Sequence, residues 1–301
     1  MSATEETIVN TNPVRSSESP AIEERFALVD GARMRYLQAG SGPPLILLHG
    51  LMGYSFSWRF NIPVLSRYAT VYAPDLLGAG FSDRPSRLDC RLSAIAERVL
   101  KFLQEVGITT FDLLGTSHGG AVAMTVASLC KPRSDLHLRK LVLVAPVNPW
   151  SPHGRRLAPF LGSPLGSTLF LRSVNHMHWT FPFWLARLYG NRNRIPEGTL
   201  EGYKAPVLSV PGSFEYGIGI VRHWAADLRA LEQTIPQLAE IPTLLIWGSA
   251  DAAVYVQSAE QLRRHFNNCE VVVYPGVGHL PYEETPEQFN ATLIEFLNRT
   301  S

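Results

Sequence analysis

Short apolar runs recur along this chain and alternate with longer stretches of helical period. Leu45–Leu48, Thr70–Ala73, Phe111–Leu114, Leu141–Val144, Leu244–Trp247 and Val271–Tyr274 are nearly uninterrupted apolar segments. Runs this short and this apolar are expected of strands buried on both faces. Between them, Ser93–Val106 places Ile95, Val99, Leu100, Leu103 and Val106 at a helical period that stops at Gly107. Gly119–Cys130 reads as an alanine-rich helix closed by Pro132, and Ser258–Phe266 and Pro286–Asn298 as helices following the last two strands. The run Thr285-Pro286-Glu287-Gln288 predicts an N-cap threonine with proline at the first helical position. Ser55–Arg67 reads as an amphipathic helix interrupted by Pro63, and Phe26–Asp30 and Ala32–Leu37 as two strands joined at an Asp-Gly turn.

Strands alternating with helices predict an α/β fold, a mostly parallel sheet covered by helices on both faces. The alternation breaks at 147–237, a stretch rich in Pro, Gly, Phe and Trp with no buried-strand run. Four of the six tryptophans, Trp150, Trp179, Trp184 and Trp224, fall there. This stretch is expected to form a helical cap over the edge of the sheet that carries the chemistry. The remainder divides into a core of 22–146 and 238–301 and a polar tail of 1–21, expected to be disordered.

Composition narrows the possible partners. Lys+Arg at 27 against Asp+Glu at 26 leaves a formal charge of +1, which argues against nucleic acid or an anionic membrane surface. No apolar run reaches the roughly 18 residues of a spanning helix, so no membrane insertion is expected. Cys90, Cys130 and Cys269 are far apart and lack metal-ligand spacing, so reduced thiols are expected. The tail has Glu5, Glu6 and Glu18 and no apolar signal core, which points to a cytoplasmic location. A monomer or homodimer is expected.

The chemistry is concentrated where strands end. Phe111–Leu114 runs directly into Gly115-Thr116-Ser117-His118-Gly119, and a helix starts at once. Glycine two residues to either side leaves room for a sharp strand-to-helix turn that exposes the serine hydroxyl. A serine needs a base to take its proton, and that base needs an acceptor to hold its tautomer. Asp251 follows the strand ending at Trp247, and His279 follows the strand ending at Tyr274. The carboxyl ends of parallel strands share one rim, so Ser117, Asp251 and His279 are the candidate catalytic residues. Asn148, after the sixth strand, occupies a rival acid position but has no charge to stabilise an imidazolium. The spacing of His176-Met177-His178 lacks a third ligand, so no metal is expected. Asp75 and Asp83, in a turn-rich loop, are read as holding backbone N–H groups.

With these residues in place, the chain resembles the α/β-hydrolase superfamily from about residue 24 onward. The resemblance rests on His49-Gly50-Leu51-Met52-Gly53, on Asp75-Leu76-Leu77-Gly78-Ala79-Gly80-Phe81-Ser82-Asp83, on the turn at Ser117, on Trp247-Gly248-Ser249-Ala250-Asp251 and on Gly278-His279. It implies an eight-stranded sheet, a cap between strands six and eight, and a Ser-His-Asp triad without cofactor. The oxyanion hole is then expected from the backbone N–H groups of His118 and, by resemblance, Leu51. His49, Met52, Trp150, Trp179, Phe181, Phe183, Trp184 and Leu280 are the expected pocket residues.

The reaction expected is hydrolysis of a small-molecule carboxylic ester with apolar groups, through an acyl-serine. Epoxide hydrolases and haloalkane dehalogenases share the look of His49–Pro85 but use aspartate at the elbow. A serine attacking an alkyl carbon would leave a stable ether. Carbon–carbon hydrolases of ring-cleavage products are an alternative, although Thr116 and Leu280 replace the asparagine and tryptophan common there. A ligand-binding protein on the same fold is a further alternative, and peptidase, lactonase and perhydrolase activities are also open.

Overall fold

The computed structural model describes residues 20–152, 157–174 and 178–299. The first nineteen residues of the expected tail and His176-Met177 lie outside the described residues, as does the side chain of His178. The strands are β1 (Glu23–Val29), β2 (Ala32–Ala39), β3 (Pro44–Leu48), β4 (Thr70–Pro74), β5 (Thr110–Thr116), β6 (His137–Val144), β7 (Thr243–Gly248) and β8 (Cys269–Tyr274). They form one sheet in the order β1-β2-β4-β3-β5-β6-β7-β8. The β1–β2 and β2–β4 pairings are antiparallel and all others parallel. Asp30 and Gly31 at the first turn both have positive φ, 52° and 78°, the geometry an Asp-Gly hairpin requires.

Helices cover both faces: α1 (Ile62–Leu65), α2 (Leu92–Glu105), α3 (His118–Cys130), then α4 (Ala158–Gly162), α5 (Pro164–Val174), α6 (Phe181–Leu188), α7 (Thr199–Ser209) and α8 (Ser213–Thr234) between β6 and β7, and finally α9 (Gln257–Arg263), α10 (Pro281–Glu284) and α11 (Pro286–Asn298). Successive strand residues point to opposite faces. Ile46, Leu48, Leu141 and Leu143 accordingly join α2 and α3 in one core. Leu45, Leu47, Val142 and Val144 join α1 and α11 in the other.

Two local expectations need correction. Ser55–Arg67 is not one helix: Ser55–Trp58 is a single 3₁₀ turn, and α1 starts afresh with Pro63 in its first turn. Proline lacks the N–H that an interior helical position would need, so the helix must begin beside it. Thr285 precedes α11 as expected but makes no side-chain cap; its hydroxyl instead donates to the Pro281 carbonyl at 3.2 Å.

The path that places the site is short. The chain leaves β3 toward β4 on one side and returns through β5 on the other. The loops after β3 and β5 therefore flank a switch point at the carboxyl rim, where α/β sheets bind ligands. Among the described residues no helix is long and apolar enough to cross a membrane.

Candidate active site

Ser117 caps β5 with φ 53° and ψ −122°, outside the regions open to most L-residues. Strain of this kind, on the order of 1–3 kcal/mol, persists only where the surroundings enforce it. Here the Ser117 N–H donates to the Val144 carbonyl at 2.9 Å, and its own carbonyl accepts from Gly120 and Val147 at 3.0 and 2.8 Å. The flanking glycines are sterically obligatory. A Cβ on Gly115 would sit 2.2 Å from the Gly119 carbonyl oxygen, and one on Gly119 would sit 2.3 Å from that of His49.

His279 and Asp251 form a buried couple, with Nδ1 donating to Asp251 Oδ2 at 2.7 Å. The other carboxylate oxygen accepts from Ala253 and Val254 N–H at 2.7 and 2.9 Å, so the acid is fixed by the turn that follows β7. With Nδ1 donating, the neutral imidazole presents its Nε2 lone pair. Asn148, the rival acid position, is committed elsewhere: its carboxamide donates to Pro146 O and Ser258 Oγ and accepts from the N–H groups of Trp150 and Ser151. The Tyr282 phenol, in α10 just after His279, lies against Thr116, the residue preceding Ser117. Among the described residues no hydrogen bond joins His279 Nε2 to the Ser117 hydroxyl. Such bonds often tighten only when substrate is bound.

A carboxylate that sequence reasoning missed holds the histidine loop. Glu284 is buried and accepts from the N–H groups of Gly278, Gly190 and Asn191 at 2.8, 2.9 and 3.0 Å. The His279 N–H itself donates to Leu188 O at 2.7 Å. The segment after α6 and the loop after β8 are thus clasped together around residue 279. Nothing local in the sequence distinguishes Glu284 from the adjacent Glu283, whose carboxylate instead takes Arg59 and Tyr189, each at 2.8 Å.

The loop after β3 is braced in a comparable way. His49 Nδ1 donates to Gly50 O at 2.8 Å, and Nε2 accepts the Leu76 N–H at 3.1 Å. Both ring nitrogens are occupied, and burial lowers the pKa of the ring, so it is a neutral brace. Asp75 accepts from Ser55 and Phe81 N–H and pairs with Arg35, and Asp83 accepts from Arg33 N–H. Gly50 packs on Ser117, since a Cβ there would meet that of the serine at 3.1 Å. Leu51, the next residue, lines the cavity with Ser117, and the His118 N–H stands at the first position of α3, where the helix dipole favours negative charge.

His118 itself is buried, and its pKa is pushed down to about 4, by desolvation first and by neighbouring His49 second. Its folded pKa lies below the ordinary 6.5, so the unfolded chain binds its proton first as pH falls. Stability is therefore expected to decline between about pH 6.5 and pH 4, by up to about 3 kcal/mol from this ring. Urea unfolding of wild type and His118→Asn across that range checks this. The variant should lose less stability on acidification.

The cavity at Ser117 has a volume of about 100 Å³ and is lined by Leu51, His118, Val147, Asn148, Ser151, Trp224, Leu228, Ala253 and Val254. None of the aromatic residues expected to line it does so. Trp179, Phe183 and Trp184 are 79%, 58% and 55% exposed and do not line this cavity. Trp150 stacks on His265 at 4.7 Å, beside a different cavity, and Phe181 packs on Phe214. Leu280 is core, His49 is the brace just described, and Met52 is half-exposed with its sulfur near Gly217. The cap residues that do reach the serine, Trp224 and Leu228, are one turn apart on α8. Their helical stripe is legible in the sequence, but its direction is not.

The family model for the alpha/beta hydrolase fold matches residues 43–286, and the chain belongs to that family. It is 28% identical to haloalkane dehalogenase 2 of Mycobacterium tuberculosis, over 91% of this chain and 94% of that one. Among solved structures it resembles epoxide hydrolase CorEH, with TM-score 0.76 and 25% identity over 92% and 99% of the two chains. It also shares the fold of a meta-cleavage product hydrolase from Pseudomonas fluorescens IP01, with TM-score 0.76 and 24% identity over 91% and 97%.

Proposed function

We propose that this hydrolase cleaves small, uncharged carboxylic esters through an acyl-enzyme on Ser117. The observation that carries the reading is a serine at a strained elbow, sharing a rim with a buried histidine–carboxylate couple. Ser117 Oγ attacks the ester carbonyl while His279 Nε2 takes its proton. The Leu51 and His118 N–H groups hold the oxyanion, and Asp251 stabilises the imidazolium. His279 then protonates the departing alcohol, activates a water against the acyl group, and returns the proton to Ser117.

Serine at the elbow weighs against the epoxide and haloalkane chemistry named for two of the relatives, because the alkyl ether it would form does not hydrolyse. The described lining holds no lysine or arginine, which favours an uncharged ester over the acidic products of ring cleavage. A cavity of about 100 Å³ corresponds to roughly three waters at their share of liquid volume, so short acyl groups fit. Across p-nitrophenyl esters from acetate to dodecanoate, kcat/KM is expected to peak at or below pentanoate and to fall at least about tenfold by decanoate. A flat or rising profile would remove the small-ester reading.

A further inference from the structure

Two cavities meet at the same pair of α8 side chains. Trp224 and Leu228, one turn apart, line both the space of about 100 Å³ at Ser117 and a larger cleft of about 460 Å³. The cleft runs along α4 and α8, where Ala158, Pro159, Gly162, Val221 and Ala225 form much of its apolar lining. The smaller cavity alone falls below the roughly 300–1,000 Å³ usual for a small-molecule site, whereas the two together fall within it.

The side chains between them are held in place. The Trp224 indole lies nearly parallel to the ring of His118, the residue after the elbow serine, with 6.3 Å between centroids and 22° between planes. A further void that touches Trp224, Leu228 and His118, and reaches Leu92 and Ala121, is only about 10 Å³. That is no more than a single water needs, so the indole has no room to withdraw toward α2 and α3. Leu228 belongs to the core on that face of the sheet. A chain that grows away from Ser117 in this direction therefore ends against these two side chains.

We propose that Trp224, with Leu228 beside it, is the wall that sets the length of acyl chain this hydrolase accepts, and that the α4–α8 cleft is where a longer chain runs once the wall is removed. The inference rests on the ester-hydrolase reading and names the residue behind its chain-length limit. Truncating a large buried side chain leaves much of its volume open, because the surroundings relax only in part. With alanine at 224 the two spaces join, and each methylene that passes into the cleft gains the apolar burial it lacked before.

The test compares kcat/KM for p-nitrophenyl decanoate with that for p-nitrophenyl butanoate in each protein, so that a general loss of activity cancels. In Trp224→Ala the decanoate-to-butanoate ratio should rise at least about tenfold over wild type. Leu228→Ala should move it the same way, and decides the matter if Trp224→Ala does not fold. Adding Ala225→Trp to Trp224→Ala refills the cleft from a position that does not line the Ser117 cavity, and should return the ratio to within about threefold of wild type. A loosened cap would not be reversed in this way. An unchanged ratio in folded Trp224→Ala would overturn the proposal, as would a raised ratio that Ala225→Trp leaves in place. If no ester is turned over, the ester reading fails by itself. The wall is then judged from crystals of wild type and Trp224→Ala soaked with octanamide: a chain running from Ser117 into the cleft in the variant alone upholds it, and a chain confined to one side, or the same in both, rejects it.

Discussion

Ser117→Ala is expected to lower kcat for p-nitrophenyl butanoate by roughly a million-fold, the order seen when a triad serine is removed from a hydrolase acting through an acyl-enzyme. The fold should be unaffected. Alanine keeps the Cβ, meets the same steric demands at φ 53°, and deletes a hydroxyl that the elbow's backbone hydrogen bonds do not use. Residual activity over water would reflect binding and the two proposed oxyanion donors, each typically worth about 3 kcal/mol in the transition state. Steady-state kinetics with circular dichroism of both proteins checks the prediction. Equal activity in variant and wild type would take the serine out of the chemistry.

Asp251→Asn is expected to reduce kcat by about ten-thousand-fold while leaving KM within a few-fold. The reason lies in how the carboxylate is held. One oxygen is occupied by the Ala253 and Val254 N–H groups, and the other faces His279 Nδ1. An asparagine must keep its oxygen toward the two N–H donors, which turns its NH₂ toward the imidazole. Nδ1 then has to accept, the ring proton moves to Nε2, and the base presents a proton where it should present a lone pair. Activity should recover partly at high pH, where hydroxide can replace the missing base. A variant with wild-type kcat at neutral pH would show that the couple has a structural task only.

Much of this arrangement was legible because it is dictated locally. Four-residue apolar runs can be buried on both faces only in the middle of a sheet, so Leu45–Leu48 and Leu244–Trp247 announced themselves as strands. Gly115 and Gly119 mark a turn with no room for a side chain, and residues just past strand ends fall on one rim. The cap was less transparent. Apolar residues at helical spacing look the same whether they face the serine or solvent, so the sequence does not show that Trp179, Phe183 and Trp184 are largely exposed and absent from the cavity at Ser117. Trp224 was counted as a cap tryptophan but not placed at the cavity. Glu284 was invisible because its partners, Gly190, Asn191 and Gly278, come together only through tertiary folding.

The reactivity of the elbow serine can be read directly by mass. Wild type and His279→Ala, each treated briefly with a fluorophosphonate and analysed by intact mass and peptide mapping, give the needed comparison. The account predicts one adduct per chain on Ser117 in the wild type and labelling slowed by at least about a thousand-fold in the variant. Equal labelling of both proteins, or an adduct on any residue other than Ser117, would contradict it.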